Sequence, residues 1–244
     1  MVLAAGLGTR MRPLTDSVPK PLIEVGGRTL LDRTLDTLAG GGVERVAVNA
    51  HHLADQIERH AANRAGLPAV AVSDERERLL DSGGGVTRAL PLLHDGPLLV
   101  ANADTFFVED RPAAIAAMAT VWQPGDVVLL VVRHDRAVGF EGAGDFFLGA
   151  DGLLTRRGTA AGAPFVFAGL TLAHTRDFSI GPDEPAVWSL NRLFDRAIAA
   201  GRLRGVVLDG LWLHVGTPDA IATAEAALRA FGRHGEGSRE RRAG

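Results

Sequence analysis

Three segments of the chain hold the residue types that phosphate chemistry requires. They are Leu3-Ala4-Ala5-Gly6-Leu7-Gly8-Thr9-Arg10, Pro19-Lys20-Pro21-Leu22 and Val100-Ala101-Asn102-Ala103-Asp104. Glycines after an apolar run let backbone N–H groups close on phosphate oxygens. Arg10 offers those oxygens a planar fork, and Lys20 a compact mobile charge. Asp104 ends an apolar run in a carboxylate, a ligand that Mg²⁺ takes together with phosphate oxygens and water. A bare Gly-x-Gly would read as a plain turn beside solvated arginines. The added Thr9, Arg10, Pro13, Pro19, Lys20 and Pro21 favour a phosphate site. Two other glycine motifs fail: the dinucleotide fingerprint needs glycine where Met11 stands, and no Gly-Lys-Ser/Thr follows as in a P-loop.

The elements that must position these segments follow from apolar spacing. Met1 to Ala5 reads as a first strand, so the native chain starts upstream or the strand is short. Leu30 to Leu38 has helical spacing, stopped by Gly40-Gly41-Gly42, and Val43 to Asn49 reads as a strand. Leu53 to Arg64 is a second helix, Ala69 to Ser73 a strand, Gly84 to Leu92 a short helix that Ser82 caps, and Pro97 to Asn102 a fourth strand. This alternation predicts an α/β fold, a mostly parallel central sheet with helices on both faces. Such sheets bind ligands at the carboxyl ends of their strands, where the glycine loop and Asp104 both fall.

Beyond residue 120 the order is less regular. Val127 to Val132 is a buried strand, and Asp151-Gly152 joins Phe146–Leu148 to Leu153–Arg156 as a small β-hairpin insertion. Phe165 to Leu172 is another apolar run; Ser189 caps a helix to Ala200; Val206 to Leu208 and Leu211 to Val215 are short strands. Thr217-Pro218 opens a last helix ending near Phe231. Residues 1–231 are expected to form one domain. Residues 232–244, rich in Arg, Gly, Glu and Ser, are expected to form a disordered tail.

Composition narrows the function classes. The chain has 244 residues, a net charge of −3 and no cysteine. It lacks the basic excess of a nucleic-acid binder, an apolar run long enough to span a membrane, and thiolates for disulfides or metal. A cytoplasmic location is the expectation. Oligomeric state is not legible.

The first two segments together, Leu-Ala-Ala-Gly-x-Gly-Thr-Arg and Pro-Lys-Pro-Leu, resemble the signature of sugar-phosphate nucleotidyltransferases, the nucleotide-sugar pyrophosphorylases. The resemblance runs from Met1 to about Leu228. Within that family the chain is similar to the N-acetylmuramate-1-phosphate uridylyltransferase group. It shares Ser82-Gly83-Gly84-Gly85, Gly144-Asp145-Phe146 and Trp212-x-x-Val215-Gly216-Thr217. The resemblance implies a GT-A-like, Rossmann-like fold and an Mg²⁺-dependent enzyme. It would couple a nucleoside triphosphate to a sugar 1-phosphate and release pyrophosphate. UTP with N-acetylmuramate 1-phosphate, a step in peptidoglycan recycling, is the preferred pair. GTP with mannose or heptose 1-phosphate is the alternative.

The same resemblance implies roles. Leu3, Ala4, Ala5, Gly6, Gly8 and Thr9 would bind the nucleotide, and Ser82, Gly84 and Gly85 its base. Arg10 and Lys20 would be catalytic; Asn102, Asp145, Gly169 and Asn191 would hold the sugar phosphate. Asp104 would ligate the metal. Where the family has a second aspartate, this chain has His214, a poorer partner for Mg²⁺ that suits softer ions such as Mn²⁺. His214 ligates the metal, donates to a phosphate oxygen, or marks an impaired site; donation is the favoured reading. Impairment would make the chain a non-catalytic binding module, against which the retained Arg10, Lys20 and Asp104 argue.

Overall fold

The computed structural model describes residues 1–109, 113–181 and 184–240, with backbone alone over 234–240. The first half runs β1 (Val2–Leu3), β2 (Glu24–Val25), β3 (Arg28–Thr29), α1 (Leu30–Gly40), β4 (Arg45–Ala50), α2 (Ala54–Asn63), β5 (Ala69–Asp74), α3 (Asp81–Ala89) and β6 (Pro97–Asn102). The second runs β7 (Thr105–Val108), α4 (Ala114–Val121), β8 (Val127–Arg133), β9 (Ala137–Val138), β10 (Phe146–Leu148), β11 (Leu154–Arg156), β12 (Phe165–His174), α5 (Leu190–Ala199), β13 (Leu203–Val207), β14 (Leu211–His214) and α6 (Asp219–Glu240).

The main sheet has nine strands in the path β11-β10-β12-β6-β1-β4-β5, with β8 beside β12 and β13 beside β8. Strands β6, β1, β4 and β5 are parallel, as the alternation predicts. Strand β12 runs antiparallel to both β6 and β8, so the sheet as a whole is mixed. Its register slips between Phe167 and Thr171, at Gly169, whose φ of 84° suits a bulge. Strand β1 is only two residues long yet lies between β4 and β6, at the centre of the parallel part.

Alternation along each strand divides the core. Val128, Leu130 and Val132 of β8 pack with Leu31, Leu35 and Leu38 of α1, Ile57 of α2 and Met118 of α4. Val127, Leu129 and Val131 face the other way, against Val86 of α3 and Leu193 and Phe194 of α5. Helices on both faces explain why β8 reads as an unbroken apolar run. A third cluster joins Met11 and Ile23 of the glycine-loop region to Leu213, Val215 and Ala224. It fixes that loop to the small sheet β7-β14-β9.

Local signals set several helix starts. Thr29 caps α1 by accepting from Asp32 N at 3.0 Å. Ser189 caps α5 through Asn191 N, as expected. Ser82, by contrast, is not a cap: α3 already begins at Asp81, and the Ser82 hydroxyl accepts from Leu190 N at 2.9 Å. Helix α6 continues to Glu240, past the expected end at Phe231, because propagating a helix adds one hydrogen bond per residue ordered. The expected tail therefore divides, with 232–240 helical and 241–244 outside the described residues. No helix among the described residues is long and apolar enough to cross a membrane.

Candidate active site

A cleft of about 500 Å³ opens at the carboxyl ends of β1, β4 and β6. Leu3, Ala4, Ala5 and Gly6 line one wall as the chain leaves β1. Leu79, Asp81 and Ser82, at the start of α3, line the opposite wall with Val187. Lys20, Pro21, Asn49, Asn102, Ala103 and Asp104 complete the lining.

Charge is concentrated where the loop meets β6. Lys20 lies in a 3₁₀ turn, Lys20–Leu22, and its side chain is 11% exposed. Its ammonium donates to Asp104 Oδ2 at 3.0 Å. Burial pushes the Asp104 carboxyl up, but Lys20, then His214 and Arg10, outweigh it and hold the group below its ordinary value. Asp104 therefore stays a carboxylate beside the Lys20 side chain.

Gly8 and Thr9 stand behind the cleft wall rather than on it. Gly8 has a φ of 62°, and a Cβ there would come within 2.8 Å of Thr15 and 3.1 Å of Lys20, so only glycine serves. The Thr15 hydroxyl donates to Gly8 O at 2.9 Å, and Thr15 O accepts from His52 at 2.8 Å. The turn after β4 thereby braces the glycine loop, a role for His52 that no motif signals.

His214 is the last residue of β14, paired in register with Thr105, next to Asp104. Its ring stacks on Trp212, and its Nδ1 meets Gly139 O at 3.2 Å. A carbonyl only accepts, so Nδ1 carries the hydrogen and the neutral ring presents a lone pair at Nε2. Gly216 lies between this edge and Arg10: a Cβ there would stand 3.1 Å from His214 Nε2 and 3.4 Å from Arg10 Nη1. Burial, with Lys20 and Arg10, lowers the His214 pKa against the pull of Asp104 and Gly139. A neutral ring held in this way has no hydrogen on Nε2, which favours metal ligation over donation to a phosphate oxygen. A lone pair with the opposite nitrogen held by a carbonyl is the usual arrangement of a metal-ligating imidazole.

Among the described residues no group of three or more His, Asp or Glu could cage a metal. One carboxylate and one imidazole fit an ion whose remaining ligands are phosphate oxygens and water.

Other expected site residues stand elsewhere. Gly84 and Gly85 are buried inside α3, not on the cleft. A Cβ on Gly84 would lie 2.2 Å from Ala186 O, and one on Gly85 2.6 Å from Asn49 Nδ2. These glycines admit close packing; they do not make room for a base. Asp145 accepts from Phe167 N through Oδ2 at 2.9 Å, which ties the hairpin to β12. Asn191 is exposed and accepts from Arg156 at 2.9 Å. Neither lines the cleft. Gly169 faces Thr105 and Asn102 across the bulge. Asn49, Leu79, Asp81 and Val187 line the cleft without having been expected. Asn49 left a trace, a lone amide closing a Val-rich strand; Val187 sits in a stretch with no periodicity.

A glycine loop braced from behind, a Lys–Asp pair on the cleft, and an arginine and imidazole beside it define a nucleotidyltransferase. The chain belongs to the MobA-like NTP transferase family, whose domain pattern matches residues 1–211. It is 46% identical over 233 residues to the N-acetylmuramate alpha-1-phosphate uridylyltransferase of Caulobacter vibrioides, covering 93% of this chain and 96% of that protein. The enzyme of the same name from Neisseria meningitidis is 32% identical, covering 95% of this chain and 98% of that protein. Among solved structures, HddC from Yersinia pseudotuberculosis complexed with GMP-PN aligns with a TM-score of 0.74 at 20% identity, over 93% of this chain and 97% of that one. The inositol-1-phosphate CTP transferase from T. maritima aligns with a TM-score of 0.74 at 18% identity, over 92% of this chain and 94% of that one. These two support the fold.

Proposed function

We propose that the chain joins UTP to N-acetylmuramate α-1-phosphate, giving the uridine diphosphate sugar and pyrophosphate, within peptidoglycan recycling in the cytoplasm. The observation that carries the reaction is the Lys20–Asp104 pair at 3.0 Å, set beside the glycine loop in the cleft. The choice of substrates rests on near full-length identity to the Caulobacter enzyme.

A phosphate oxygen of the sugar phosphate attacks the α-phosphorus of UTP. The new P–O bond forms as the bond from the α-phosphorus to the bridging oxygen breaks, and pyrophosphate leaves with that electron pair. The nucleophile is already an anion, so no side chain need take a proton. Leu3, Ala4, Ala5 and Gly6 hold the nucleotide, with Gly8 and Thr9 setting the loop that carries them. Lys20 keeps two N–H donors beyond its bond to Asp104 and turns them to phosphate oxygens. Arg10 stabilises the charge that builds on the α-phosphate and the leaving group. Asn102, on the cleft beside Asp104, meets the sugar phosphate. Asp104 and His214 would hold Mg²⁺ or Mn²⁺, which supplies charge neutralisation at the α-phosphate and the pyrophosphate.

The test is pyrophosphate release with UTP, GTP, CTP and ATP, each against N-acetylmuramate, N-acetylglucosamine, mannose and heptose 1-phosphates. UTP with N-acetylmuramate α-1-phosphate should give the highest kcat/KM. Preference for another pair overturns the substrate assignment, and absence of release with every pair overturns the reaction.

A further inference from the structure

Asn49 and Glu75 are 3% and 2% exposed, and neither belongs to the charged edge of the cleft. Past Leu3 the chain leaves the sheet, and Asn49 Oδ1 accepts from Ala4 N at 2.6 Å. A backbone N–H only donates, which fixes the amide: its oxygen faces Ala4 and its NH₂ faces Glu75. Asn49 Nδ2 donates to Glu75 Oε1 at 2.7 Å, and Glu75 Oε2 accepts from Leu80 N at 3.3 Å. One line of hydrogen bonds therefore runs beneath the cleft, from Ala4 on one wall to Leu80 behind the other.

The surroundings are built to keep this line. Helix α3 lies directly on it: a Cβ on Gly85 would stand 2.6 Å from Asn49 Nδ2 and 2.8 Å from Glu75 Oε1. Burial pushes the Glu75 carboxyl up against its two donors, so the group is retained at a cost in solvation. An apolar pair could join β4 to β5 without that cost. It could not fix where Ala4 and Leu80 stand, since only directional bonds do that.

We propose that Asn49 and Glu75 are positioning residues for the nucleoside. Their bond sets the gap between the Ala4–Gly6 wall and the Leu79–Ser82 wall. The base and ribose are gripped in that gap, while the triphosphate is held by the Lys20 and Arg10 edge. The inference rests on the nucleotide reading above.

Reversing the polarity of the bond tests it. Glu75→Gln turns a donor toward either Asn49 Nδ2 or Leu80 N. Asn49→Asp sets carboxylate against carboxylate. In the double variant Asn49→Asp/Glu75→Gln every group regains a partner: the new carboxylate accepts from Ala4 N and from the new amide, whose oxygen accepts from Leu80 N. Binding is measured by calorimetry without sugar phosphate. The probes are tripolyphosphate and whichever of UTP, GTP, CTP and ATP the wild type binds most tightly.

Each single variant should lose about tenfold or more in nucleotide affinity and keep tripolyphosphate affinity within twofold. The double variant should recover most of the loss. In turnover, KM for the nucleotide should rise with kcat little changed. The inference is overturned if tripolyphosphate affinity falls in parallel, if the single variants bind nucleotide as the wild type does, or if the double variant does not recover. Should the single variants not fold, Gly85→Ala presses on the intact pair. It should weaken the nucleotide and spare tripolyphosphate, and equal effects on both overturn the inference. A wild type that binds no nucleotide more tightly than tripolyphosphate removes the nucleotide reading itself, and the inference with it.

Discussion

Gly6-Leu7-Gly8 and Gly83-Gly84-Gly85 look alike in the sequence and do opposite work. Gly8 needs a φ of 62°, and Gly6 has nothing within 4 Å of where a Cβ would be. The first cluster is a loop that bends sharply and leaves space open. The second lies within α3 and faces the 186–188 segment and the Asn49–Glu75 pair. There a Cβ on Gly83 would sit 2.3 Å from the Trp188 ring. Trp188 O also accepts from both Gly83 N and Gly84 N, at 2.8 and 3.0 Å. Glycine gives conformational freedom in one place and close approach in the other. Substitutions around the loop should therefore act on rate and on nucleotide and metal binding, and substitutions at Gly83 and Gly84 of α3 on stability.

The largest effect is expected at Asp104. Asp104→Asn keeps the shape but removes the charge that pairs with Lys20, and kcat should fall about a thousandfold. A fall in thermal stability without that loss of rate would move Asp104 to the structural side of the comparison. Arg10→Ala comes next. Arg10 is exposed, so folding should be unaffected while kcat drops about a hundredfold, more than nucleotide affinity does. Steady-state kinetics with pyrophosphate detection checks both.

Gly84→Ala probes the other region, and its sign is informative. Glycine to alanine inside a helix ordinarily stabilises by up to about 1 kcal/mol. Here the Cβ would lie 2.2 Å from Ala186 O. We expect a net loss of about 1–3 kcal/mol in denaturant unfolding, the cost of overpacking. A gain in stability would show that the helix does not depend on this approach.

His214→Ala should raise the metal concentration needed for half-maximal activity by about tenfold, the lower end of losses from disturbed metal surroundings. The lone pair is lost on protonation, and the folded-state pKa of this ring is lowered. In the wild type, metal affinity should thus hold as pH falls through about 6.5 and fade only below it. Fading above that point would put His214 outside the metal site. The smallest effect should be that of Gly6→Ala on folding. With open space and no positive φ at Gly6, stability should stay within about 0.5 kcal/mol. The new methyl stands on the cleft wall, so nucleotide KM should rise while the unfolding curve does not move.

The sequence by itself determined the chemistry-bearing edge. Arg10, Lys20 and Asp104 follow apolar runs or lie within a few residues of one, and the ends of parallel strands must share one edge of the sheet. The periodic segments α1, α2, β4 and β6 were legible for the same local reason, as were the Thr217-Pro218 start and the Asp151-Gly152 turn. The antiparallel run of β12 was not, because strand direction depends on where a chain returns rather than on its own pattern. The last part of the site was decided by tertiary structure alone. Whether a glycine opens space or accepts a neighbour depends on what packs against it, and Trp188 is distant in sequence from Gly83. Which nitrogen His214 presents depends on Gly139, a residue brought to it only by β9 pairing with β14. Asp145 and Asn191 have the chemistry to bind a hydroxyl, yet Phe167 N and Arg156 already engage them. Residue type sets what a side chain can bond to; only the fold sets which partner is within reach.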